Sequence, residues 1–138
     1  MRSHDSLVRL HRWKVDELRR ETATLERLAA DLAAQADALA AEVAHEQEVA
    51  AADQAVGLAY GPYAAVAVER RRRIESSRAE VAARIATLRE TLRGAFTELK
   101  RHEQLRDQRL ERQRLLRERK AAALLDEISL DLHRRRAG

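Results

Sequence analysis

The chain contains no cysteine and no asparagine, one proline, four glycines, and only one Trp, two Tyr and one Phe among 138 residues. Without cysteine there are no disulfides, thiolate metal ligands or cysteine nucleophiles. Without asparagine there is no base-reading residue of the kind a basic leucine zipper places ahead of its coiled coil, and residues 1–17 are only mildly basic. Three of the four glycines stand at 57, 61 and 138, so no glycine loop can cradle a phosphate. The longest uncharged run, residues 54–68, falls short of the roughly 20 apolar residues that span a bilayer. The first residues also lack the apolar stretch of a secretory signal, so a soluble, cytoplasmic protein is expected.

The five histidines (His4, His11, His45, His102, His133) are scattered, with none at the i, i+4 spacing of a zinc-binding helix. His45-Glu46-Gln47-Glu48-Val49 begins like a zincin motif but lacks its second histidine. Carboxylates abound, yet nothing in the pattern gathers them in a pocket that would perturb their acidity. These features predict no enzyme, no metal and no cofactor.

What remains is 45% hydrophobic and 36% charged, dominated by Ala, Leu, Arg and Glu, the composition of a long helix or coiled coil. Leu18, Leu25, Leu32 and Leu39 recur every seven residues, with Leu28, Ala29, Ala36 and Val43 between them. Further on, Ile74, Val81, Leu88 and Ala95 repeat at the same spacing, interleaved with Ile85, Leu92 and Leu99. Such narrow stripes are seams that must be covered by another helix.

One strong break divides the two stripes: Gly57, then Gly61-Pro62, which joins a residue of free backbone geometry to one that lacks an amide hydrogen. The pattern therefore predicts an all-α fold, a long antiparallel two-helix coiled-coil hairpin in a single domain. Its first arm should run over about 6–57, its turn over about 58–62 and its second arm over about 63–136. Arms of this length would extend at least ~75 Å. Gly94 is expected to mark a bend in the second arm.

Charge supports the pairing. Residues 28–60 hold six acids and no Lys or Arg, while residues 61–93 hold eight arginines against four acids. Exposed ion pairs contribute only about 0–1 kcal/mol each, so this asymmetry biases register more than stability. Arg70 to Arg73 wrap around a helix and cannot all face one groove; they read as a solvated belt opposite the acidic arm, with nucleic-acid binding the lesser alternative in the absence of stacking aromatics. The later basic tract, residues 101–120, reads as an exposed helix laced with pairs such as Glu98–His102 and Glu103–Arg106.

Two apolar clusters fall outside the seam. Residues from about 118 onward run past the start of the first arm and carry Leu124, Leu125, Ile128 and Leu132 as an uncovered stripe. Near the break, Val56, Leu58, Tyr60, Tyr63, Val66 and Val68 cluster without nearby charge. Uncovered apolar surface of this kind marks contact sites, although the second cluster could equally close the turn upon itself. Trp13 is expected to pack against the second arm near Arg106 and Leu110.

Several stretches resemble the FliJ family of flagellar export proteins. They are residues 10–17 (Leu10-His11-Arg12-Trp13-Lys14-Val15-Asp16-Glu17), Glu46-Gln47 before an alanine run, and Tyr60-Gly61-Pro62-Tyr63. Phe96-Thr97-Glu98-Leu99-Lys100, Leu125-Asp126-Glu127-Ile128 and the closing Arg134-Arg135-Arg136 complete the set. The likeness extends over nearly the whole chain, and the stalk proteins of virulence-type secretion systems share the architecture.

The resemblance implies a cytoplasmic stalk, peripherally associated with the inner-membrane export apparatus, that links the hexameric export ATPase to the cytoplasmic domain of the export gate and assists export chaperones. It implies ATPase contacts at Leu124, Leu125, Ile128, Leu132 and Arg134 to Arg136, and gate contacts at Gln47, Gln54, Leu58, Tyr60, Tyr63 and Arg70. The alternatives are a virulence-type stalk or a general coiled-coil adaptor that pairs with its own copies.

Overall fold

A computed structural model describes residues 2–137, all of them helical except Asp53. Helix α1 is Arg2–Ala52 and helix α2 is Gln54–Ala137. There is no strand among the described residues, and the fold is an all-α two-helix hairpin. The chain divides into two units, one formed by Lys14–Gly94 and the other by the chain up to Trp13 together with Ala95 onward.

In the Lys14–Gly94 unit the heptad spacing becomes a seam. Val15, Leu25, Leu32 and Leu39 are buried from α1, and Ala67, Val81 and Ile85 from α2. Leu25, Leu32, Val81 and Ile85 form its central cluster, with Ala29 and Leu88 packed against them. Arg89 bonds Glu26 at 2.9 Å, and Arg70 reaches Glu42 at 3.5 Å; as one number falls the other rises, the signature of antiparallel pairing. The charge asymmetry thus yields these two bridges between the helices here, while Arg72, Arg73, Arg78 and Arg93 pair with acids three or four residues back on α2.

The seam differs from expectation at two positions. Leu28 is exposed while its neighbour Ala29 packs against the core, and Thr22 is buried, its hydroxyl donating to the Leu18 carbonyl at 2.7 Å. Bonding within its own helix satisfies the hydroxyl, so a threonine can occupy a position the pattern reserves for apolar residues.

The unit holding the start of α1 has a thinner seam. Val8 and Leu99 are buried, and His11, Ala95, His102, Arg106 and Gln113 are half-buried. Arg12 meets Glu103 across the helices at 3.8 Å, and Glu98 lies 3.9 Å from His102. The expected Glu103–Arg106 pairing is not the one formed: Arg106 bonds Asp107, and Glu103 also engages Lys100. Trp13 is not packed away near Arg106 and Leu110; it is 60% exposed.

The principal correction concerns the turn. It falls at Asp53, not at 58–62, so the arms are Arg2–Ala52 and Gln54–Ala137 in place of 6–57 and 63–136, and Pro62 lies inside α2. Capping chemistry explains the position. The Asp53 amide donates to the Val49 carbonyl at 3.2 Å and so ends α1. Its carbonyl accepts from Gly57 N at 2.9 Å, and its carboxylate Oδ1 accepts from Ala55 N at 2.9 Å, which starts α2. One residue thus closes one helix and caps the next. We expect Asp53→Ala to destabilise the hairpin by about 1 kcal/mol in urea titrations, the usual value of a lost N-cap.

Among the described residues no glycine has a positive φ, so the glycines there have other tasks than reversing the chain. Gly61 precedes Pro62, and the helical conformation disfavoured before proline is disfavoured partly through the preceding Cβ, which glycine lacks. Gly57 permits close approach: a Cβ there would lie 3.1 Å from the Ala50 carbonyl oxygen. A Cβ at Gly94 would meet nothing within 4 Å, and the helix runs on through it. Gly94→Ala is therefore expected to raise stability by about 1 kcal/mol. Gly57→Ala should gain little or lose, because the obstructing atom is backbone. Paired thermal melts check both.

Candidate interaction surfaces

The residues singled out from sequence occupy two places, one in each unit. In the Lys14–Gly94 unit, the small side chains Ala36, Ala40 and Ala44 of α1 face Ala64 and Ala67 of α2. Leu39, Val43 and Val68 line the same space, and Gln47 and Tyr60 close one end. The result is a groove of about 550 Å³, with Arg71 and Arg78 among its charged lining and Asp37 and Glu75 among its acids. Alanines at three- and four-residue steps on both helices create it, because they leave the seam too thin to fill the space between the arms.

Of the expected tip contacts, Gln47 and Tyr60 meet in this groove. Tyr63 stands beside Tyr60 with ring centroids 6.0 Å apart and planes tilted by 43°. The Tyr63 hydroxyl is shielded from solvent and makes no well-formed hydrogen bond among the described residues. Burial first, then the Glu42 charge and its hydrogen-bonding approach, then Glu46, push the phenol above its ordinary range, and Arg70 partly offsets them. Arg70 is held by Glu42. Gln54 and Leu58 are not drawn into the groove: Gln54 is the exposed first residue of α2, and Leu58 is 85% exposed.

The four consecutive arginines diverge as a helix requires. Arg70 turns to Glu42, Arg72 and Arg73 to Glu69, and Arg71 to the groove. The hydrogen bond from Arg72 holds the Glu69 carboxyl below its usual value. Arg71, Arg78 and Ala64 were not anticipated as lining residues; the matched alanine spacing of the two arms was the signal available for them.

The second place is the far part of α2. Gln113 is the last half-buried residue, and every described residue from 114 to 137 is exposed. Helix geometry makes this stretch about 35 Å long. Ala121, Leu124, Leu125, Ile128 and Leu132 fall at i, i+3, i+4, i+7 and i+11, on one face. Leu124, Leu125, Ile128 and Leu132 are each about half exposed or more. Arg114 bonds both Glu111 and Glu118, which stiffens the approach to the stripe and lowers the Glu111 carboxyl. Arg135 pairs with Asp131 near its end, leaving Arg134 and Arg136 beside it on an exposed helix terminus.

No family model, curated protein or solved structure matches this chain. Among the described residues no helix is long and apolar enough to cross a membrane, and no group of three or more His, Asp or Glu is placed to hold a metal ion.

Proposed function

We propose that the chain is a coiled-coil stalk of the FliJ type, a component of a flagellar protein export apparatus that binds its partners through the two surfaces just described. In this reading residues 114–137 dock with the export ATPase hexamer, and the alanine groove with Tyr60 and Tyr63 meets the cytoplasmic domain of the export gate. Export chaperones are further clients, and the protein acts in the cytoplasm, peripherally associated with the apparatus.

The observation that carries this reading is the stretch 114–137, where an amphipathic helix continues with every residue exposed. A helix that keeps an apolar stripe without burying it in its own fold supplies one half of an interface. The residue likeness supplies the identity of the partners. Size-exclusion chromatography of the purified chain with the export ATPase, and separately with the gate domain, tests it. Comigration with both is the expected result; absence of comigration with either, together with normal swimming of a deletion strain, overturns the proposal.

A further inference from the structure

The stripe and the groove are opposites in shape. On α2 the stripe presents Leu124, Leu125, Ile128 and Leu132, each about half exposed or more, with nothing over them. The groove presents walls rich in alanine around an empty space of about 550 Å³. Roughly 150 Å³ of empty apolar space accepts a molecule the size of benzene, so the groove has room for about three or four apolar side chains. The lengths agree as well. Ala36 to Gln47 on the α1 wall and Ala121 to Leu132 on the stripe are each eleven positions apart, about 17 Å of helix.

Charge fits the same pairing. On and beside the α1 wall, Asp31, Asp37, Glu46 and Glu48 enter no ion pair among the described residues, and the stretch 28–52 holds no Lys or Arg. Across from them Arg70, Arg72, Arg73 and Arg78 of α2 are each held by an acid of the same chain, which leaves Arg71. Residues 114–137 show the reverse. Arg117, Arg119, Lys120, Arg134 and Arg136 enter no ion pair there, against Asp126 and Glu127. Uncommitted charge is therefore negative around the groove and positive around the stripe. Like surfaces fit poorly by comparison. Two stripes would bring the same excess of positive charge together, and two grooves would set alanine against alanine and leave the space unfilled.

We propose that the groove binds the stripe of a second copy of this chain, with the large apolar side chains of residues 121–132 filling the space between the arms. The contact is heterologous: two different surfaces meet, and each copy carries one of each. It stands apart from the identity of the export partners proposed above. With those partners, self-association covers both docking surfaces, and a partner must displace a copy in order to bind.

Sedimentation velocity of the full chain over roughly a hundredfold range of concentration tests the contact. Leu124→Asp with Ile128→Asp breaks the stripe and keeps the groove, whereas Ala40→Trp fills the groove and keeps the stripe. All three substitutions fall at exposed positions, and thermal melts establish that each variant is folded. Ala44→Trp, at another exposed position of the groove, takes the place of Ala40→Trp if that variant does not fold. The wild type is expected to gain mass with concentration, and each variant alone to associate at least about tenfold more weakly. Mixed in equal amounts, the two variants should recover a one-to-one complex and nothing larger, because one intact stripe and one intact groove remain in each pair. A wild type that stays monomeric overturns the proposal. A groove variant that still self-associates also overturns it, since stripe would then bind stripe, and so does a mixture that remains monomeric.

Discussion

Ile85→Ala is expected to cost about 2–3 kcal/mol of stability, whereas Leu28→Ala should change it by less than about 0.5 kcal/mol. Ile85 is 8% exposed and sits in the Leu25, Leu32, Val81 cluster, while Leu28 is 43% exposed. Truncation of a buried isoleucine loses its transfer free energy and leaves a cavity. The expected loss lies toward the lower end of the usual range because a seam between two helices is open at its sides, and Ala29 and Leu88 can relax into the space. Urea titrations of both variants, read for midpoint and slope, check the pair. Equal losses would mean that Leu28, not Ala29, faces the second helix, and the seam would have to be rotated.

That comparison also measures what the sequence could reveal. The fold class, and Leu25, Leu32, Leu39, Val81, Ile85 and Leu99, were legible because a seven-residue repeat of large apolar side chains has one common physical cause, a helix that needs a partner. Leu28 was drawn into the stripe because it adjoins Ala29 in a leucine-rich arm, and hydropathy cannot tell which of two neighbours turns inward. Thr22 was missed for the opposite reason: its hydroxyl is silenced by Leu18, a bond that only the folded helix provides.

The turn was misplaced by reading backbone freedom in place of capping. Gly61-Pro62 is the strongest breaker in the chain, yet a glycine ahead of a proline removes part of the clash that would stop the helix. Asp53, amid alanines and acids, looks helical by context. Its role emerges only when three hydrogen bonds converge on it. The groove lay between these extremes. The alanines were visible and were read as permitting close approach, but whether they close the gap or leave one depends on the larger side chains beside them. Leu39, Val43, Tyr60 and Arg71 border the space without filling it.

On the proposed stalk reading, the double substitution Leu124→Asp with Ile128→Asp is expected to weaken binding to the export ATPase at least ~100-fold while leaving the urea midpoint of the free chain unchanged. Both residues lie on the exposed stripe of residues 114–137, Leu124 at 58% and Ile128 at 48% exposure, so charging them removes nothing the hairpin itself relies on. In a complex the same carboxylates would be driven into an apolar interface without partners, which costs several kcal/mol unless the interface opens. Fluorescence anisotropy on a chain labelled at an introduced cysteine gives the affinity, and the absence of native cysteine makes that label unique. A lowered urea midpoint would mean that the stripe is covered by its own chain after all. An unchanged midpoint with undiminished ATPase binding would remove the stripe from the interface. If the substitutions instead abolish a concentration-dependent self-association seen by light scattering, with no ATPase binding in either protein, the stripe joins copies of this chain and the adaptor reading replaces the stalk.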